Sequence, residues 1–188
     1  MVSAGLLAAA MASPLQADYL INTNFSDGIG GWHGDGEAAY LKADGTEGEE
    51  GDIGVIPVIK LPLSKDSPRT VYQDFETRDH PKALQIKVEI YASSDFKRSA
   101  SPDDYTSEVS NFQAGNTLIW SEIAILNVDF WIRMDSGSYY KLANLKPHAW
   151  TTVKAKWDSI EDDENRTINF CIPPGDGVIY IKNPSATP

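Results

Sequence analysis

The sequence of 188 residues contains one cysteine, Cys171, so no disulfide can form within the chain. Cys171 sits in the apolar run Ile168-Asn-Phe-Cys-Ile172. A buried structural thiol is expected there, because nothing nearby in sequence supplies a base to activate it. Basic residues are scarce: 16 Lys and Arg stand against 27 Asp and Glu, a net charge of -11. Such a surface keeps the chain soluble and repels phosphate backbones and anionic membranes, which argues against nucleic acid as a partner. No apolar run is long enough to span a bilayer. Catalytic signatures are missing too, with no paired carboxylates, G-x-S-x-G elbow, H-E-x-x-H or phosphate loop. His33, His80 and His148 lie in turn-like contexts, two of them beside proline, and read as surface residues.

What is present is punctuation. The 14 glycines and 11 prolines fall between short apolar runs, which favours many short strands over a helical bundle. The N-terminus is a separate matter. Leu6 to Met11 is a short apolar run, and Pro14-Leu-Gln-Ala17 ends in small residues. This pattern predicts a signal peptide over 1–17 and a secreted or periplasmic product. The remaining 18–188 read as one domain, expected to act as a monomer.

The clearest strand is Asn127 to Asp135. Val128, Phe130, Ile132 and Met134 alternate with Asp129, Trp131, Arg133 and Asp135, which predicts one dry face and one wet face. Leu84 to Ala92 alternates as evenly, with Ile86, Val88 and Ile90 facing one way and Lys87, Glu89 and Tyr91 the other. Thr70 to Thr77 sets Val71, Gln73 and Phe75 against Tyr72, Asp74 and Glu76. Further strands are predicted at 18–25, 37–42, 139–143, 150–157, 166–172 and 178–182. Tyr139 to Ala143 would form a hairpin with the strand before it. Val153, Ala155 and Trp157 form one core face, Ile168, Phe170 and Ile172 another. Ile53 to Leu63 is broken by Pro57 and Pro62, so it reads as an edge strand or two pieces. Residues 43–52 read as an exposed acidic turn, and the stretch after Lys182 as a tail. Ser101-Pro-Asp-Asp has helix N-terminal chemistry, with Tyr105, Val109 and Phe112 at helical spacing, and predicts a short helix crossing a loop. These are about nine to eleven strands at the spacing of a two-sheet sandwich.

The order of motifs resembles a known family. Asn22, Phe25, Gly28, Gly31 and Trp32 fit an opening N-x-x-F-x-x-G-x-x-G-W; V-Y-Q-D-F follows at 71–75, then a long even strand, then H-A-W-T-T-V-K-A-K-W at 148–157. This is similar to the family 4/9 carbohydrate-binding modules of the galactose-binding-like group, over about residues 19 to 183. The resemblance implies an all-β, two-sheet antiparallel jelly-roll sandwich with at most one or two short helices in loops. It implies polysaccharide bound by aromatics on a concave face or at loop tips, and Trp32 packed at the sandwich edge. It also implies a structural calcium near the chain ends. Family members often carry an aspartate in the last strand, where this chain has Tyr180-Ile-Lys-Asn-Pro.

A glycan-binding face needs flat aromatics for the apolar faces of sugar rings and directional polar groups for their hydroxyls. Three predicted wet faces carry both: Trp131 with Asp129 and Arg133, Tyr91 with Glu89, and Tyr72 with Asp74. Trp131, Tyr91 and Tyr72 are therefore the expected stacking surfaces, and Asp129, Arg133 and Glu89 the expected hydroxyl partners. Trp150 and Trp157 read as core. For calcium, Asp27, Asp35 and the acidic 43–52 run are the candidate donors, although none has a spaced metal-binding motif. The leading expectation is non-catalytic binding of a polysaccharide or oligosaccharide by an exported sandwich. An extracellular structural or protein-interaction module is the alternative, and a jelly-roll glycoside hydrolase or polysaccharide lyase the third reading.

Overall fold

The computed structural model describes residues 18–77, 81–98, 129–135, 139–157 and 165–188, with the backbone alone at 139–142. The predicted signal peptide, the predicted helix after Ser101, the apolar stretch around Trp120 and the turn at 136–138 lie outside these residues. Every regular element among the described residues is a strand.

The strands are β1 (His33–Gly34), β2 (Glu37–Lys42), β3 (Glu47–Gly48), β4 (Val55–Pro62), β5 (Arg69–Glu76), β6 (Leu84–Ala92), β7 (Lys97–Arg98), β8 (Phe130–Met134), β9 (Tyr139–Ala143), β10 (Ala149–Trp157), β11 (Asn165–Ile172), β12 (Gly175–Asp176) and β13 (Val178–Thr187). Five form a first sheet in the order β1-β5-β11-β8-β9, and six a second in the order β10-β6-β13-β4-β2-β3. β7 and β12 pair as a small ribbon. All these strand pairs are antiparallel, and β8 and β9 form the expected hairpin with Phe130 opposite Ala143.

The period-2 pattern decides which side of each strand meets the other sheet. From the first sheet, Val71, Phe75, Phe130, Ile132, Met134, Ile168, Phe170 and Ile172 point inward; from the second, Ile59, Leu61, Ile86, Val88, Ile90, Val153, Trp157 and Ile181 meet them. Each fully buried aliphatic side chain contributes about 1.5–3 kcal/mol. Trp32 is buried in this core, its ring stacked on Phe170 at 5.7 Å and 21°.

Three expectations are corrected by the backbone. Residues 18–25 form turns rather than a strand, because Asn22 and Phe25 take positive φ (47° and 54°) that no ladder accommodates. Side chains fasten the segment instead. The buried Gln73 amide accepts from the Ile21 N–H at 2.8 Å and donates to the Ile21 carbonyl at 3.2 Å, while Asp18 accepts from the Ala186 N–H at 2.9 Å. The second correction concerns 53–63. It is one interior strand, β4, held between β2 and β13. Its prolines are tolerated because each stands where only one neighbour pairs. Pro57 lies opposite Tyr40 of β2, before β13 begins to pair at Ile59; Pro62 lies opposite Val178 of β13, after β2 has ended at Lys60. Finally, the expected tail is strand. β13 runs on to Thr187 after a register shift between Lys182 and Ser185, where Asn183 takes φ 48° and Pro184 falls in the unpaired step.

Candidate functional site

The six residues singled out from the sequence do not share a surface. Tyr72, Asp129, Trp131 and Arg133 belong to the first sheet or its edge, and Glu89 and Tyr91 to the second. Residues directly opposite in an antiparallel register share a face, so each outer face can be read row by row.

On the second sheet one row runs Trp150, Tyr91, Tyr180, Lys60, Glu37. Its aromatics form a chain of ring contacts, Trp150–Tyr91 at 5.5 Å and Tyr91–Tyr180 at 6.1 Å. With Leu41 and Val58 they make a small second core on the outside of the sheet. The acidic 43–52 segment folds over it. Glu47 accepts from the Tyr180 hydroxyl at 2.7 Å and pairs with the Lys60 ammonium at 2.8 Å. Gly45 lies so close to the Tyr91 ring that a β-carbon there would overlap its hydroxyl. The Tyr91 hydroxyl is bonded to His148 Nδ1 at 2.7 Å, and the residue is 4% exposed. Tyr91 is therefore not an open stacking surface. A segment rich in glycine and acids reads as solvated turn, yet its backbone packs flat on rings and its carboxylate meets a lysine.

Glu89 is similarly engaged. Burial raises its pKa, but hydrogen bonds from Lys87 and Asn183 and the charge of Lys182 outweigh this and hold the carboxyl below the usual range. Trp150, expected in the core, lies on this outer face with the Lys182 ammonium 3.8 Å above its ring. The signal was in the alternation: if Val153, Ala155 and Trp157 point inward, Trp150 points outward.

On the first sheet the row through β1, β5, β11 and β8 is His33, Tyr72, Asn169, Arg133. The His33 and Tyr72 rings lie 5.4 Å apart at 37°. His33 is exposed, and Tyr72, Asn169 and Arg133 are half-buried. The hydrogen bonds among the described residues leave the Tyr72 hydroxyl and the Asn169 amide unused. The next row along β5 and β11 is Asp74 with Thr167, whose hydroxyl donates to the Asp74 carboxylate. Beyond it stand Glu76 and Asn165. A cavity of about 410 Å³ opens at this end, lined by Asp74, Phe75, Glu76, Asn165, Arg166 and Thr167. Arg166 is fixed beside it, paired with Asp135 at 3.1 Å and lying over the Trp157 ring at 5.2 Å.

The row on the other side of Tyr72 is Thr70, Cys171, Trp131. Trp131 does point away from the sandwich core, as its alternation with Phe130 and Ile132 requires. It is nevertheless 2% exposed, and so is Cys171. The expected stacking role of Trp131 fails on that burial: alternation fixes the face of a sheet, not whether the face is open. Burial pushes the Cys171 thiol up to about 12, so it remains a protonated structural group. Asp129 is committed to structure, accepting from the Leu145 N–H at 2.9 Å and pairing with Arg98 at 3.3 Å. Burial raises its carboxyl, opposed by the Leu145 bond and the Arg98 charge.

The calcium donors suggested by sequence do not converge. Asp35 accepts from the Thr70 N–H and meets Arg69, and Asp52 pairs with Lys42. Among the described residues no three His, Cys, Asp or Glu side chains are grouped to hold a metal.

Sequence reading missed His33 and Asn169. Asn169 was legible, since Ile168 and Phe170 point inward and leave it outward. His33 was not, because only the pairing of β1 with β5 brings it onto Tyr72.

No family model matches the sequence, and no curated protein matches it. Solved structures do match the fold. One is TmCBM61 in complex with β-1,4-galactotriose, at TM-score 0.51 and 12% identity over 90% of this chain and 97% of that one. A family 16 carbohydrate-binding module matches at TM-score 0.52 and 8% identity over 91% and 100%. A CBM4 module matches at TM-score 0.52 and 12% identity over 89% and 97%. The chain therefore has the jelly-roll sandwich fold of carbohydrate-binding modules.

Proposed function

We propose that this protein binds a polysaccharide or oligosaccharide, without catalysis, on the outer face of the first sheet. Tyr72 and His33 are the stacking surfaces. Asn169, Arg133 and Asp74 take the sugar hydroxyls. The observation that carries the reading is the single row His33, Tyr72, Asn169, Arg133, which sets aromatic rings beside polar groups on four adjacent strands. The modules that share the fold support it, among them one whose structure holds β-1,4-galactotriose. Within that group the opening Asn22 to Trp32 motif and the 148–157 strand favour the family 4/9 type. The apolar run and small residues of 1–17 favour export.

Affinity electrophoresis against a panel of soluble glycans tests this. Wild-type protein should be retarded by at least one glycan. Tyr72→Ala and Asn169→Ala should both run freely, while Trp150→Ala on the other sheet should behave as wild type. Equal retardation of wild type and Tyr72→Ala would remove the first sheet from consideration.

A further inference from the structure

Beyond its aromatic row, the outer face of the second sheet turns to lysine. The outward residues of β10, β6 and β13 fall in two rows: Thr152, Glu89, Lys182, and then Lys154, Lys87, Ser185. Glu89 lies between two cations, pairing with Lys87 at 3.0 Å and with Lys182 at 3.4 Å. Charge therefore alternates in sign from Lys182 through Glu89 to Lys87. The alternation breaks at Lys154, which is exposed and stands directly opposite Lys87 in the register. Among the described residues Lys154 has no ion pair or hydrogen bond, whereas Lys156, one row further along β10, already has a partner. Like charges directly opposite on neighbouring strands destabilise a sheet. Three lysines and one glutamate make this corner positive in a chain whose net charge is -11.

The group missing from the series is an anion between Lys154 and Lys87. The corner offers no ring to a sugar, because the Lys182 ammonium lies 3.8 Å above the Trp150 ring and Tyr91 and Tyr180 are buried. A long polyphosphate or an anionic membrane would run past the lysines onto the acidic remainder of the surface and be repelled. A short acidic segment stays within about one Debye length of the lysines, roughly 10 Å, and responds chiefly to them. We propose that this corner docks an acidic segment of a partner protein, with one of its carboxylates between Lys154 and Lys87 accepting from both ammoniums. Thr152 and Ser185 flank that position with hydroxyls that can accept from the segment's backbone N–H groups. The site is separate from the glycan-binding face proposed above and does not rest on it.

Fluorescence anisotropy of a labelled hexaglutamate peptide, titrated with the full chain at low ionic strength, tests this. Wild-type protein should bind the peptide, and Lys154→Gln should weaken binding by about fivefold or more. Raising the salt to about 1 M, where the Debye length is about 3 Å, should weaken the wild type at least as much. Lys154→Glu supplies the missing carboxylate within the chain. It should abolish peptide binding and raise the urea midpoint, because an opposite-charge pair replaces two opposed lysines. Loss of binding with a higher midpoint cannot come from misfolding. No binding by wild type, or equal binding by wild type and Lys154→Glu, overturns the proposal. A lower midpoint in Lys154→Glu overturns it too, since Lys87 would then not share a carboxylate at that position. Tyr72→Ala should bind the peptide as wild type does; loss of binding there would move the peptide to the first sheet. Hexagalacturonate or phosphatidylserine vesicles held more tightly than hexaglutamate, and released by Lys154→Glu, would give the corner to a glycan or a membrane and overturn the acidic segment.

Discussion

The outer faces of the two sheets began from the same pattern and ended differently. Each is built of strands whose outward positions alternate aromatic with charged residues. On the second sheet the row Trp150, Tyr91, Tyr180 is closed over by the acidic segment, with Glu47 and Gly45 against the rings. On the first sheet the His33–Tyr72 pair carries polar groups beside it, and the Tyr72 hydroxyl and Asn169 amide are unused. An aromatic row on a sheet can thus serve as a second small core or as an open platform. What decides is whether a loop supplies a partner for every polar edge of the rings. The second face serves stability, the first is the proposed site of recognition, and the comparison can be broken at either.

The largest effect is expected from Tyr91→Ala. The residue is 4% exposed, touches three rings and bonds His148, so its removal leaves a hole under the 43–52 segment. A loss of about 3 kcal/mol in urea unfolding is expected, at the lower end of what aromatic truncation costs in a core. Glycan retention at low temperature should be unchanged. If Tyr91→Ala abolished binding with stability intact, the assignment of the two faces would be reversed. Gly45→Ala comes next. Its φ of 84° and its contact with Tyr91 leave no room for a methyl group, so the segment must lift. About 2 kcal/mol of stability should be lost through strain and exposed rings, read by the same unfolding series and by a rise in tyrosine accessibility.

Much of the sandwich was readable from sequence because period-2 alternation is a local signal. β2, β6 and the hairpin of β8 with β9 fall where the pattern puts them, and so do the inward faces of β5 and β11. Features set by distant pairing were not readable. Pro57 and Pro62 looked like breaks, because only the registers of β2 and β13 show that each sits in a one-sided stretch. The Asn183-Pro184 step looked like the end of a strand, because a bulge leaves no mark on hydropathy. Trp131 shows the same limit at the site. Its outward direction followed from its neighbours, but its cover did not. His33 joined the site only through its register with Tyr72. The sequence therefore located outward residues and could not say which of them meet solvent.

Tyr72→Ala sharpens the comparison from the other side. Tyr72 is half-buried on an outer face, and its ring meets that of the exposed His33. Stability should change by less than about 0.5 kcal/mol. Glycan affinity should fall by about tenfold or more, equivalent to about 1.4 kcal/mol. A variant that loses stability and affinity together would show that the first sheet also uses its outer face as core.

The smallest effect concerns the closure of the second sheet, and its sign follows from two opposed shifts. The Lys60 hydrogen bond is the main cause that holds the Glu47 carboxyl below its ordinary 4.5; burial opposes it, and the Tyr180 hydroxyl assists. The same bond holds the Lys60 ammonium above its ordinary 10.5. A depressed carboxylate stabilises the fold fully above pH 4.5, and that contribution disappears as pH falls through the lower folded value. A raised ammonium stabilises fully below pH 10.5, and that contribution disappears as pH rises through the higher folded value. The pair should therefore give a plateau between these limits with a loss at each end. Glu47 is 44% exposed, so solvent screening keeps the contribution below about 1 kcal/mol. In Glu47→Gln the gap to wild type in the urea midpoint should be greatest on the plateau and close toward acid and toward base. Parallel profiles at all pH values would mean that the ion pair does not hold the segment down. Glycan affinity measured on the plateau should be the same in both proteins, because the pair stands on the sheet opposite the proposed binding face.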